Sequence, residues 1–212
     1  MKVAIIDYGA GNLFSVKNAV DSFSGDYETV FASAAADIEA ADVLILPGVG
    51  AFPDAMRMLH ERGLAGPIQQ QAQKKPLLGI CLGMQVLFEK GYEFEETDGL
   101  GLIEGVVDRI VAPGLKVPHM GWSDVRVVNP STLTSQVEDG DRFYFVHSYK
   151  AVTAEENICL AAEYGQTIPA LVRGTPGGPY ARVYGAQFHP EKSGAAGLAI
   201  LRSFLEEGRH AE

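Results

Sequence analysis

Leu77-Leu78-Gly79-Ile80-Cys81-Leu82-Gly83-Met84-Gln85 is the stretch from which the rest of the chain becomes readable. Leu77 to Ile80 is a short continuous apolar run, as expected of a strand buried on both faces. It passes directly into helical text, Leu82 to Lys90. A strand followed at once by a helix is the repeating unit of a parallel α/β sheet. Between the two stands G-x-C-x-G, the sulfur counterpart of the nucleophile elbow. A sharp turn there lifts the side chain of Cys81 out of the sheet, and glycines on both sides make room for the crowded backbone. At a helix start the dipole favours thiolate over thiol. The N–H of Leu82 is left to face a developing oxyanion. Taken alone, the pentapeptide is equally a small buried Cys in a tight turn.

Toward the N-terminus the same alternation repeats. Val3 to Ile6 is a first strand, and Tyr8-Gly9-Ala10-Gly11-Asn12 is a turn. Leu13, Val16, Val20 and Phe23 then recur at helical spacing. Tyr27 to Phe31 reads as a second strand, and Ser33 to Ala40 as a short helix capped by Ser33. Val43 to Leu46 is a third strand, stopped by Pro47-Gly48. Helical text runs from Phe52 to Lys75, broken at Gly63 and at Gly66-Pro67. This order predicts parallel strands with helices on both faces.

Toward the C-terminus the style changes. Val106 to Val111, Asp124 to Val128, Phe143 to Val146, Ile158 to Ala162 and Arg182 to Gln187 are strand-like, separated by Pro, Gly and Asn-Pro turns. Val172-Arg173 and Arg182-Val183 flank a hairpin-like loop, Gly174 to Pro179. Leu198, Leu201 and Leu205 share one face of a closing helix. No repeat or linker interrupts the chain. The expectation is a single α/β domain over residues 1–212: a mostly parallel central sheet flanked by helices, with extra antiparallel strands in the second half.

Composition narrows the function classes. The 212 residues are 47% hydrophobic and 21% charged, which is globular rather than disordered. A net charge of −10 makes nucleic acid and anionic membrane poor partners. The 2 cysteines exclude a disulfide framework and a Cys-rich zinc site. Asp7 comes too early for a signal peptide, and no apolar run approaches the roughly 20 residues needed to span a bilayer. A soluble protein of the reducing cytoplasm is expected. Gly9-Ala10-Gly11 begins like a dinucleotide fingerprint, but Phe14 stands where its third Gly belongs. No Gly-Lys-Ser or Gly-Lys-Thr follows at P-loop spacing. No cofactor and no metal are expected.

In parallel α/β sheets, sites gather beyond the carboxyl ends of the strands. Pro47-Gly48-Val49-Gly50 follows the third strand. Its glycines let the backbone turn N–H groups inward, as an oxyanion donor must; it is otherwise a plain β-to-α turn. Of the 5 His, His60 and His210 lie in charged helical text and read as exposed. His119 lies in a loop between Pro118 and Met120, and His147 ends an aromatic strand. His189 stands in His189-Pro190-Glu191, where Glu191 can accept a hydrogen bond from the imidazole. Cys81, His189 and Glu191 then take the roles of nucleophile, base and orienter. Cys159, in Ile158-Cys159-Leu160 without flanking glycines, reads as a packed core residue.

These segments resemble the class I, or triad, glutamine amidotransferases, which have a flavodoxin-like core. Gly79 to Gln85 and Gln187-Phe188-His189-Pro190-Glu191-Lys192-Ser193 match the family's two catalytic motifs, and Pro47 to Gly50 matches its oxyanion strand. Ile6 to Leu13, Pro118-His119-Met120-Gly121-Trp122 and Tyr144 to Tyr149 narrow the likeness to the glutaminase subunits of imidazole glycerol phosphate synthase, in histidine biosynthesis. The resemblance implies that Cys81 attacks the carboxamide of glutamine and that Val49, Gly50 and Leu82 form the oxyanion hole. It implies that His189 and Glu191 complete the triad. Gly50, Gln85 and Glu93 would grip glutamine, Glu93 facing its α-ammonium, with the backbone near His147-Ser148-Tyr149 holding the α-carboxylate. The implied partner is a (β/α)8-barrel cyclase subunit that receives the ammonia. Asn12, Met120, Trp122, Tyr144 and Lys192 are interface candidates by the same resemblance, although Trp122 and Tyr144 are also natural core residues. Alternatives are the glutaminase subunit of another ammonia-channelling synthase, a cysteine hydrolase on the same sheet, or a non-catalytic binding module with an inert elbow.

Overall fold

In the computed structural model, which describes residues 1–23 and 27–209, the apolar runs of the first half become neighbouring parallel strands. These are β1 (Lys2–Ile6), β2 (Glu28–Ala32), β3 (Val43–Gly48) and β4 (Leu77–Cys81). The helices between and after them are α1 (Leu13–Asp21), α2 (Ala35–Glu39), α3 (Phe52–Glu61), α4 (Ala65–Ala72) and α5 (Leu82–Gln85). The second half contributes β5 (Phe88–Gly91), β6 (Thr97–Asp98), β7 (Ile103–Arg109), β8 (His119–Val127) and β9 (Arg142–His147). It continues with β10 (Tyr149–Val152), β11 (Ile158–Glu163), β12 (Thr167–Arg173), β13 (Val183–Ala186) and the closing helix α6 (Gly194–Arg209).

A nine-stranded sheet runs in the order β2-β1-β3-β4-β13-β12-β11-β8-β9. Pairing is parallel from β2 to β13 and antiparallel from β13 to β9. β13 is therefore the seam: parallel to β4 on one side, antiparallel to β12 on the other. A smaller sheet, β10-β7-β5-β6, lies apart. Side chains alternate across the pleat. Val3 and Ile5 face a core shared with α1 and α6, while Ala4 and Ile6 face one shared with α2, α3 and α4. On α6, Ile200, Leu201, Phe204 and Leu205 are fully buried, each contributing roughly 1.5–3 kcal/mol of gross hydrophobic free energy. Leu198, on the same helix, is only partly buried.

Several local readings are corrected. The cap of α2 is Ala34, not Ser33: Asp37 reaches back from the first turn and accepts the Ala34 N–H at 3.2 Å. β3 does not stop at Leu46, because pairing with β4 carries it through Pro47 and Gly48. The helical stretch breaks once, around Gly63, and Gly66-Pro67 lies inside the first turn of α4. There the missing N–H of proline has no intrahelical partner to lose. The helical reading from Leu82 to Lys90 holds for one turn only, and β5 follows because Phe88 to Gly91 pairs with β7. His119 begins β8 rather than lying in a loop. Cys159 is fully buried, as read, and His60 is exposed. His210 lies outside the described residues. Among those described, no helix is long and apolar enough to cross a membrane.

Candidate active site

Strand register brings the separate motifs level. Gly48 of β3 pairs with Cys81 of β4, and Ala186 of β13 pairs with Ile80. Val49-Gly50 and Gln187-Phe188-His189 therefore leave the sheet on either side of Cys81. The elbow is strained: Cys81 has φ 55° and ψ −111°, a backbone state that costs about 1–3 kcal/mol for a non-glycine residue. Close packing maintains it. A Cβ at Gly83 would lie 1.7 Å from the Leu46 carbonyl oxygen, and one at Gly79 would lie 2.5 Å from that of Gly83. Only a hydrogen fits at either place. Because α5 is a single turn, its macrodipole is small.

His189 is 3% exposed and anchored at three points. Its Nδ1 lies 2.9 Å from Glu191 Oε1. Its backbone N–H donates to Tyr144 O at 3.0 Å, and its carbonyl accepts from Ser193 Oγ at 2.6 Å. Ser193 Oγ in turn accepts the Tyr144 N–H, which ties the segment to β9. With Nδ1 engaged, Nε2 is the nitrogen left for the sulfur. Burial opposes charge on this ring, but hydrogen bonds with Cys81 and Glu191 outweigh it and raise its pKa to about 9. The Cys81 thiol makes a long contact of 3.9 Å with Val146 O.

A cavity of about 390 Å³ opens over Cys81. Val49, Gly50, Leu82, Gln85, Glu93, His147, Ser148 and His189 line it, so every residue singled out for glutamine or oxyanion binding reaches one space. Gly50 has φ +107°, which suits glycine in the turn facing the sulfur. Gln85 Nε2 donates to Tyr149 O at 3.0 Å and to Gln187 Oε1 at 3.1 Å. Glu93 does more than line the wall: its Oε2 accepts the Phe52 N–H at 2.8 Å and holds the start of α3.

Pro118 and Val146 also line the cavity; they stand in segments quoted from the sequence but were not singled out as site residues, and Tyr149 was singled out only for its backbone. Tyr8 was missed as well. It is fully buried with an unpartnered hydroxyl, and burial and the nearby Cys81 push its pKa up. Its signal was a place in the Ile6–Leu13 segment, two residues after β1. Among the described residues, no group of three or more His, Cys, Asp or Glu could hold a metal ion.

The interface candidates differ in exposure. Met120 is 61% and Trp122 46% exposed, on the outward face of β8. Tyr144 pairs with Trp122 across the strands, ring centroids 6.1 Å apart, and is half-buried. Core packing therefore does not account for Trp122. Lys192 is exposed and Asn12 half-buried.

Residues 4–207 match the family described as glutamine amidotransferase class-I. The chain is 51% identical to an "Imidazole glycerol phosphate synthase subunit HisH" of Streptococcus sanguinis, over 95% of this chain and 94% of that one. It is 48% identical to the protein of the same name from Lactococcus lactis subsp. lactis, over 97% and 98%. Among solved structures, one described as a glutamine amidotransferase superposes with a TM-score of 0.72 at 20% identity, covering 98% of each chain. PurLQS from Thermotoga maritima superposes with 0.69 at 21% identity, covering 97% and 98%. At such identities these two speak for the fold alone.

Proposed function

The chain belongs to the class-I glutamine amidotransferase family, and from that premise we propose that it is the glutaminase subunit of an imidazole glycerol phosphate synthase. One observation carries the chemistry: Cys81, His189 and the Val49-Gly50 turn, far apart in sequence, line one cavity, with Glu191 on the Nδ1 of His189. The near full-length similarity to HisH subunits supports the choice of synthase.

In this reading the sulfur of Cys81 attacks the carboxamide carbon of glutamine. The oxyanion rests on backbone N–H groups of Leu82 and the Val49-Gly50 turn. His189, oriented by Glu191, protonates the departing ammonia. It then takes a proton from the water that hydrolyses the γ-glutamyl thioester, releasing glutamate and restoring the thiol. Gln85, Glu93 and the His147-Ser148 segment bind the amino-acid end of the substrate. Free ammonia in water at neutral pH becomes ammonium, which has no lone pair to attack with, so a dry passage into a second active site preserves it. A (β/α)8-barrel cyclase subunit supplies that site and docks on the face of Met120, Trp122, Tyr144, Lys192 and Asn12. The product serves histidine biosynthesis.

Reconstitution with the cyclase subunit tests the reading. Cys81→Ala should abolish glutamine-driven synthesis and leave ammonia-driven synthesis nearly intact, because only the ammonia source is lost. Equal loss of both activities would overturn the division of labour, and peptidase turnover without a partner would favour a cysteine hydrolase.

A further inference from the structure

From the cavity wall at His147 a buried polar chain runs back into the protein, and its far members, His119 and Ser123, have no part in the glutaminase chemistry described above. His119 and His147 face each other on β8 and β9, with His119 Nδ1 3.0 Å from His147 Nε2. His147 Nδ1 lies 2.8 Å from Tyr149 O, and His119 Nε2 lies 2.8 Å from Ser123 Oγ. Burial lowers the pKa of His147 to about 3 and that of His119 to about 4, so each neutral ring carries one hydrogen. A carbonyl oxygen only accepts, so the His147 hydrogen is on Nδ1. Its Nε2 must then accept, which makes His119 Nδ1 the donor. His119 Nε2 is left to accept from the Ser123 hydroxyl. The chain runs one way, from Ser123 through His119 and His147 to the Tyr149 carbonyl.

Both ends matter. The Tyr149 carbonyl also accepts from Gln85, and His147, Ser148, Tyr149 and Gln85 all line the cavity. The His119 ring is held between Phe145 and Tyr164, with centroids 4.8 and 4.1 Å away. It sits on the inward face of β8, whose outward face exposes Met120 and Trp122.

We propose that His119, oriented by Ser123, is a positioning residue for the glutaminase site: acting through His147, it holds the His147–Tyr149 wall and Gln85 in the shape that receives glutamine. The inference rests on the glutaminase reading of the cavity. Because β8 also carries the docking residues, the same hydrogen bonds join the partner face to the glutamine wall.

The test compares wild type, His119→Phe and His119→Asn in the reconstituted complex. Phe keeps the stacking between Phe145 and Tyr164 but offers no donor, whereas Asn places an amide N–H near the position of Nδ1. His119→Phe should raise the KM for glutamine about tenfold, one hydrogen bond's worth, with kcat changed by no more than roughly threefold. Ammonia-driven synthesis should be unchanged, and His119→Asn should restore most of the KM. A wild-type KM in His119→Phe, or equal impairment of both variants, would overturn the proposal. If His119→Phe does not fold, nitrogen NMR of histidine-labelled wild-type complex decides. Both rings should be Nδ1–H tautomers throughout about pH 5.5 to 8; a hydrogen on Nε2 of His147, or protonation near neutral pH, sinks the idea. A wild-type complex that does not hydrolyse glutamine would instead remove the underlying function, while the spectra still read the hydrogen-bond direction.

Discussion

At Cys81 the strained backbone is kept in place by its neighbours rather than by contacts of its own side chain. Gly83 is the tightest point, since an added Cβ would meet the Leu46 carbonyl at 1.7 Å and that atom belongs to the β3 backbone. Gly83→Ala should lose about 1–3 kcal/mol or more, seen as a lower urea midpoint and a disturbed elbow; an unchanged midpoint would show that β3 yields. The meeting of Cys81 and His189 at one cavity, with Glu191 on the imidazole, was legible because each residue stands in a contiguous motif whose turn chemistry is local. The contacts of Tyr8 with Cys81, of Gln187 with Gln85 and of His119 with His147 were not, although the residues stand in motifs read from the sequence, because each contact joins separate strands.

Elements were legible where burial repeats over several residues. The first four strands and α1 follow their apolar periodicity. The segment after α5 was misread because Val86-Leu87-Phe88 suits either a helix or a buried strand, and only pairing of β5 with β7 chooses. β8 teaches the same lesson at longer range. His119, Ser123 and Val125 turn away from the face of Met120, Trp122 and Asp124, an alternation that appears once β9 is alongside. Trp122→Ala should leave the isolated fold intact, since the ring is 46% exposed. It should weaken the cyclase complex by about 2 kcal/mol, roughly thirtyfold in Kd, as expected of an aromatic anchor. Titration calorimetry would read this directly, and unchanged affinity would move the docking face elsewhere.

For the whole molecule, buried histidines set opposite pH limits. His119 and His147 have native pKa values of about 4 and 3, below the unfolded value of about 6.5. The unfolded chain therefore binds protons first, so their contribution is present above about pH 6.5 and lost as pH falls. Each ring accounts for up to about 1.4 kcal/mol per pH unit in that window. His189 behaves oppositely: its native pKa of about 9 lies above the unfolded value, so its contribution is full below about pH 6.5 and lost as pH rises through 9. Urea denaturation across pH should show stability falling from about pH 6.5 to 5, above most carboxylate titration; a flat profile there would contradict neutral buried rings.

The sequence by itself determined the strand–helix alternation, the tight Cys81 turn and the motifs that hold Cys81, His189 and Glu191, because periodicity and turn chemistry are written in neighbouring residues. Tertiary structure decided which strands lie side by side. β13 settles between β4 and β12, which carries His189 beside Cys81, and β8 lies against β9, which closes the histidine chain behind the cavity. Such pairings join segments distant in the chain. They depend on register and on which apolar faces can be buried together, and no local pattern encodes either.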